Sequence, residues 1–446
     1  MVSLTNGRTA SPSMRGNTTF LPTERDALRV AKVEREIDRA VGQGPGPSYD
    51  SVVICGAGFT ATLMAARLAR SAQFHGKVVL AGPRTVESRR VKDGLTLRGY
   101  GTDYISYALD VPQNEYVAAL YGDIIDGRGI GTRNLWAQAK KGRDGKYEFA
   151  RVFAWQGGLH AGYSRPLFYG ARNSRMQGAM HELMDRSGVI EVPDKVGSLE
   201  EAFDLAPGKR PLIVNAGHNQ RLLGADVPKV DWATIAVQAP LRIKPSGMRY
   251  IGTNSAMLAP VVRGKTMDVV LFNAYADPLS PRSSFYGIIV VEVYPERPGF
   301  NQQKETDILI DELYGIADTM GLELDDPDET LFHGLIPGSP WRAPASNPGT
   351  LELQMIAHPG VSATFSDGMT SGAIGAVTAA EAVLRGVDPD AATRRALRVM
   401  NRDRRMWNLT RTKIARPADL ALRTIGGAAT FYPHGLHVAK TWASAG

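Results

Sequence analysis

At 446 residues the chain has enough apolar material for a large interior shared by two layers or lobes, which excludes a single peptide-sized module. Its formal net charge of +7 is spread along the sequence and mixed with acids rather than gathered into runs, so no nucleic-acid footprint is present. One cysteine, Cys55, excludes an internal disulfide, and neither a signal-peptide core nor a run of about 18 apolar residues occurs. A cytoplasmic protein without a membrane span is expected, with Cys55 as a buried structural thiol.

Residues 1–47 form a polar extension with one helix expected from about Glu24 to Val41, opened by Pro22 and Thr23. Val30, Val33, Ile37, Ala40 and Val41 recur at helical spacing as a narrow stripe. The stripe packs either on the main body or on a partner subunit, and the second placement makes a homodimer. After the Gly- and Pro-rich linker 42–47 come a strand (Ser51 to Cys55), a glycine turn, a small-residue helix (about Thr60 to Ser71) and a strand (Lys77 to Ala81). This order opens a doubly wound α/β fold. A helix from about Ser174 to Arg186 leads into Val189–Val192, and Pro211 to Gly217 is a buried strand ending in small residues.

Between about residues 230 and 300, Ala233–Leu241, Val269–Phe272 and Tyr286–Val293 read as strands of an antiparallel sheet, followed by a helix from Gln303 to Met320. Residues 337–349 make a long Pro- and Gly-rich loop of the kind that walls a pocket. A short strand from Ser362 turns at Ser366-Asp367-Gly368 into a small-residue helix ending near Arg385, and Ala391 to Arg416 reads as a basic helical segment. No assignment is made for Phe431 to Gly446.

Gly56-Ala57-Gly58-Phe59-Thr60-Ala61 fits G-x-G-x-x-G/A directly after an apolar strand and before a helix, the context in which this pattern signals dinucleotide binding. Gly56 permits the tight turn, Gly58 lets backbone approach a pyrophosphate, and Ala61 lets helix and strand pack closely. The helix start offers unpaired N–H groups to the phosphates. An acid about 20 residues on is expected to bind the ribose, but the second strand ends Leu80-Ala81-Gly82-Pro83-Arg84 and the nearest acid is Glu87. Arg84 is a candidate for stacking on adenine or meeting a phosphate, with a surface turn arginine as the alternative.

With Asn215-Ala216-Gly217 and Ser366-Asp367-Gly368 added, the sequence resembles FAD-dependent monooxygenases of the glutathione-reductase-type flavoprotein superfamily over most of residues 50–420. The order of Gly94–Arg98, the helix ending Glu182–Gly188, Leu212–Gly217 and the segment around Trp407 is most similar to the styrene and indole monooxygenases. The resemblance implies a Rossmann FAD-binding domain with an inserted, mostly antiparallel β substrate domain and a helical C-terminal segment. Its divisions are 1–47 (extension), 48–130, 172–228 and 346–390 (FAD-binding), 131–171 and 229–345 (substrate domain), and 391–446 (C-terminal helical segment).

On this resemblance Ala216 and Gly217 join the glycine turn at the cofactor, and Asp367 binds ribityl or phosphate-linked hydroxyls. Thr370, Ser371 and Gly372 open a helix aimed at the pyrimidine end of the flavin, where negative charge develops on reduction. Arg98 is a candidate for facing the flavin or its phosphates, with a solvated strand-edge arginine as the alternative, and Arg172 and Arg175 are candidates for contacting the adenosine or ribityl portion. The family's usual proline before the helix is absent, and Ser366 stands where a glycine is common. The implied reaction transfers one oxygen of O₂ to a small organic substrate through a flavin (hydro)peroxide. Electrons come either from a partner flavin reductase or from transiently bound NAD(P)H. The cofactor performs the hard step, so no catalytic acid or base is named. Trp155, Phe168, Phe272, Phe285 and Tyr286 are candidates for the pocket wall or the core.

The eight histidines form no metal-ligand pattern; His434 and His437 lack a nearby carboxylate or cysteine, and His218 is a loop residue or a flavin neighbour. No G-x-S-x-G elbow, P-loop, halogenase-type tryptophan motif or second dinucleotide fingerprint occurs. Two alternatives stay open. The start of the 370–384 helix is also similar to prenyl-lipid reductases, which implies a flavin-dependent reductase or dehydrogenase. The missing ribose acid leaves a non-catalytic nucleotide-binding protein as the other.

Overall fold

The computed structural model describes residues 24–83, 95–97, 133–141, 147–156, 170–217, 222–223, 233–244, 255–263, 268–276, 284–319, 321–324, 332–337, 349–353 and 368–397. Its first sheet is five-stranded and all-parallel. It is built from β1 (Ser51–Cys55), β2 (Lys77–Ala81), β7 (Ile190–Val192), β8 (Pro211–Asn215) and β15 (Thr350–Glu352) in the order β15-β8-β1-β2-β7. β1 and β2 have the bounds expected from the sequence, because short apolar β-branched runs bounded by Gly and polar residues leave little room for another reading.

Apolar residues on both faces explain why β1 reads as a continuous hydrophobic run rather than an alternating one. Val52, Ile54, Val78, Leu80, Leu212, Val214 and Leu351 face one core, and Val53, Cys55, Val79, Ala81 and Ile213 face a second. The first core is closed by α2 (Phe59–Ala69), α3 (Asn173–Asp185) and α6 (Gly368–Arg385), the second by α4 (Leu199–Asp204) with Leu222 and Leu223. Ile54 is fully buried, which at about 25 cal/mol per Å² contributes roughly 2–3 kcal/mol relative to exposure. α2 and α6 pack together, and Ala376, Ala379 and Ala380 are the small residues that permit it.

The second sheet has eight strands: β4 (Arg133–Lys141), β5 (Tyr147–Gln156), β9 (Ala233–Ile243), β10 (Ser255–Arg263), β11 (Asp268–Ala276), β12 (Ser284–Val293), β13 (Leu322–Leu324) and β14 (Phe332–Pro337). The order is β13-β9-β12-β11-β10-β4-β5, with β14 also on β9, and every pairing is antiparallel except β10 with β4. Strands from 133–156 and from 233–337 therefore share one sheet. α5 (Gln302–Thr319) packs on β5, β9, β12 and β13, burying Thr306, Leu309, Leu313 and Ala317 at helical spacing. β3 (Leu95–Leu97) and β6 (Gly170–Arg172) form a separate two-stranded ribbon.

α1 (Glu24–Val41) starts and ends at the expected residues. Its stripe, Val30, Val33, Ile37, Ala40 and Val41, is buried, and α1 lies on α6 and α7 (Pro389–Ala396) of the same chain. Of the two placements the sequence allows, this is the main body. The contact is pinned by charge: Arg385 donates to Asp38 at 2.5 Å, to the Gly42 carbonyl at 3.1 Å and to Glu381 at 3.4 Å, while Arg67 of α2 donates to Glu381 at 2.6 Å. Arg395 Nε donates to the Ala40 carbonyl at 2.8 Å, placing a cation at the C-terminal end of α1, where the helix dipole favours it.

Several elements differ from expectation. The helix expected from Ala391 to Arg416 begins at Pro389 instead, with Asp388 as its N-cap accepting from the amides of Asp390 and Ala391, and ends at Ala396 with Leu397 as its C-cap. A proline at the first helical turn after an aspartate is a start signal that outweighs the weaker apolar periodicity of the segment. β4, β5, β10 and the short β14 and β15 are strands that the expected order lacks. The expected strand from Ser362, nearly all of loop 337–349, and residues beyond 397 lie outside the described residues.

Asp50, just before β1, fastens the opposite end of the parallel sheet. Its carboxylate accepts from the amides of Lys209 and Arg210 at 2.8 and 3.0 Å, and Lys77 N donates to its carbonyl at 3.1 Å. The Lys209 amide, with that of Arg210, holds the Asp50 carboxyl below the usual aspartate range. A lowered folded pKa gives stability that is complete above the unfolded value of about 3.9 and is lost as pH falls through the folded value. Asp50→Asn is therefore expected to melt below wild type at neutral pH, with the gap closing in acid below the unfolded value; melting curves across pH check this.

Arg385→Ala removes the centre of the α1 clasp, and urea unfolding should show a loss of about 1–3 kcal/mol. Asp38→Ala, at the solvent edge of the same cluster, should lose under about 1 kcal/mol.

Candidate functional site

The site is built where β1 ends. Gly56 N donates to the Ala81 carbonyl at 2.7 Å and Ala216 N donates to the Cys55 carbonyl at 3.0 Å, so the turn is held by the ends of both neighbouring strands. Gly56 has φ +129, and a Cβ there would lie 2.8 Å from Gly217 N and 2.9 Å from the Ala216 carbonyl carbon. No other residue fits without moving β8.

Gly58 is different. It is the N-cap of α2 with φ −81 and ψ 178, which any residue adopts, and a Cβ added to it would meet nothing within 4 Å. The front of the turn is thus open space beside a helix start that has no side-chain cap and no acid in its first turn. Uncapped amides at the positive end of a helix dipole make an anion seat. Thr62 closes the turn from behind, its Oγ1 donating to the Gly58 carbonyl at 2.5 Å. Ala61 is fully buried against the sheet, while Phe59 and Thr60 are half-buried at the rim.

Ala216 and Gly217 lie against Gly56. Ser371 and Gly372 lie buried in the first turns of α6, and among the described residues Ser371 Oγ has no hydrogen-bond partner. Thr370 is on the same helix, and Arg172 and Arg175 lie on β6 and α3; their side chains are outside the described residues. Arg84, Glu87, Arg98, Phe168, His218 and Asp367 also lie outside them.

Pairing sorts the aromatic candidates. Phe272 is opposite Ile289, which is opposite Val237, and Phe285 is opposite Leu241; these rows carry buried aliphatic residues. Trp155, Asn134, Ala256, Tyr275, Tyr286 and Pro240 form a different row, crossing six strands, on the alternate face of the sheet. Pro240 is half-buried in that row, whereas Ala239 and Leu241 beside it are buried on the other face.

Sequence reading missed one pair. Asn215, fully buried at the end of β8, donates from Nδ2 to Glu352 Oε2 at 3.0 Å, and Glu352 on β15 is 3 % exposed. An acid between Leu351 and Leu353 reads as the solvent-facing position of an edge strand; its burial and its bond to Asn215 show that it is covered.

Among the described residues no group of three or more His, Cys, Asp or Glu residues is placed to hold a metal ion, and no helix is long and apolar enough to cross a membrane. Burial pushes the Cys55 thiol up to about 12. At pH 8 the native protein should leave Cys55 unmodified by an aromatic disulfide reagent over hours, with full reaction in denaturant; rapid native labelling would contradict its burial.

No protein-family model matches the chain, and no curated protein matches it in sequence. Solved structures similar to it include FqzB, at 11% identity over 82% of either chain with a TM-score of 0.47. The tetrameric form of 2-methyl-3-hydroxypyridine-5-carboxylic acid oxygenase is 11% identical over 82% of this chain and 94% of that one, TM-score 0.43. A flavin-dependent halogenase from Xanthomonas campestris is 9% identical over 81% of this chain and 76% of that one, TM-score 0.45. Likenesses this distant assign no activity.

Proposed function

We propose that the chain is an FAD-dependent oxidoreductase of the monooxygenase type, acting on a small organic substrate, with the styrene and indole monooxygenases as the group it most resembles. The observation that carries this reading is the strand–turn–helix at Gly56–Ala61: one glycine forced by the backbone behind it, the other facing open space at an uncapped helix start. A dinucleotide pyrophosphate fits that arrangement, and an orphaned, fully buried hydroxyl at Ser371 adds polar capacity in the helix assigned to the flavin end.

Gly58 and the amides of Phe59 and Thr60 would receive the phosphates, and the first turns of α6 would stand behind the flavin. When bound and reduced, FAD supplies the two-electron chemistry with O₂. The protein's share is to seat the cofactor, exclude water and orient the substrate. The register row Trp155, Asn134, Ala256, Tyr275 and Tyr286 is the proposed source of the substrate wall, since aromatic residue types with one amide in a single row suit an aromatic or alkene substrate.

Gly58→Ala separates binding from folding. Its added methyl meets no protein atom and strains no backbone, so the melting temperature should stay within about 2 °C of wild type while FAD affinity falls by about tenfold or more. Equilibrium titration of the apoprotein by flavin fluorescence, beside a melting curve, checks it. Unchanged FAD affinity would remove the glycine turn from the cofactor site. Incorporation of one atom of ¹⁸O₂ into an aromatic or alkene probe by the reduced holoprotein supports the monooxygenase reading, whereas NAD(P)H- or quinone-linked turnover without oxygen consumption would replace it with a reductase.

A further inference from the structure

In a parallel sheet, paired residues point to the same face with strands about 4.8 Å apart, so a register row is a line of side-chain neighbours. The last row of this sheet reads Glu352, Asn215, Cys55, Ala81, Val192. Cys55 and Ala81 belong to the apolar core on that face. Placing a carboxyl and an amide in the same row costs desolvation that aliphatic residues would avoid, unless the two groups satisfy one another. They do so at 3.0 Å, and the backbone repeats the link: Leu353 N donates to the Asn215 carbonyl at 2.9 Å. Asn215 is thus gripped by β15 through both its side chain and its main chain.

The grip reaches the glycine turn through the two residues after Asn215. Ala216 and Gly217 are the ones against which Gly56 is pressed. With the gap already at contact distance, a shift of β8 toward β1 would drive the turn forward into the phosphate seat, and a shift away would let it sag. We propose that Glu352 is a positioning residue for the bound dinucleotide: by accepting from Asn215 it fixes the β8 end that sets the height of the glycine turn. The inference rests on the FAD reading of the same site. It gives Glu352, which the sequence does not mark, a share in cofactor affinity without contact to the cofactor.

Three variants test it. Glu352→Gln keeps an acceptor oxygen for Asn215 and should bind FAD within about twofold of wild type. Glu352→Leu removes the acceptor and should weaken binding about tenfold, and Asn215→Ala, which removes the donor, should do the same if Glu352→Leu does not fold. Leu68→Ala, a fully buried truncation near the far end of α2, is the control for stability alone: it should melt lower yet bind FAD normally once folded. FAD dissociation constants, apoprotein melting and the visible flavin spectrum are read for each. Wild-type affinity in folded Glu352→Leu or Asn215→Ala, or equal weakening in Glu352→Gln and Glu352→Leu, overturns the positioning role. Absence of FAD binding by wild type itself overturns instead the cofactor reading on which it stands.

Discussion

The ends of β1 and β8 are pressed together at Gly56, where backbone meets backbone with no room for a side chain. Much of the described geometry at that end of the parallel sheet depends on that contact. It needs glycine at 56, small residues at 216 and 217, a flat row of strands behind them, and anchors at the other end of the sheet so that the strands cannot slide. Asp50 supplies the last of these, tying the starts of β1, β2 and β8 through main-chain groups. The chemistry proposed for the site is therefore set by strand placement before any reactive side chain enters.

Around this contact the helices divide the work. α2 presents amides to the open front of the turn, and α6 lies alongside it through small residues. α1 adds no group to the site but covers α6 and α7, with Arg385 and Arg395 locking its end. Residues 24–41 are thereby joined to the layer built on the parallel sheet, and the helix is part of the same core as Val52 and Ile54.

How much of this was legible in the sequence depends on the range of each interaction. β1, β2 and α1 are set by local pattern, an apolar run or a helical stripe bounded by Gly, Pro and polar residues, and their limits were readable to the residue. The turn at Gly56 was readable because strand, spacing and helix are contiguous. Glu352 was not, since its burial depends on a strand that pairs 137 residues earlier in the chain. β15 itself is three residues long, too short for any periodicity. The β4–β5 hairpin carries a register shift at Gln138/Ala139 that breaks alternation where a pattern would otherwise show it. The aromatic candidates could not be sorted until pairing placed Phe272 and Tyr286 in rows of opposite face.

The position of β15 in the chain also bears on how the protein is made. A ribosome releasing the polypeptide from its N-terminus delivers β1, α2, β2, β7 and β8 long before Thr350–Glu352. Until those three residues emerge, β8 is an open edge strand with Asn215 uncovered, and the strands of the second sheet have already been synthesised in between. The glycine-turn end of the first sheet is thus completed only after most of the chain is available. A fragment that stops before residue 350 would carry the glycine turn without its support, so the turn and the completed parallel sheet are not separable by truncation.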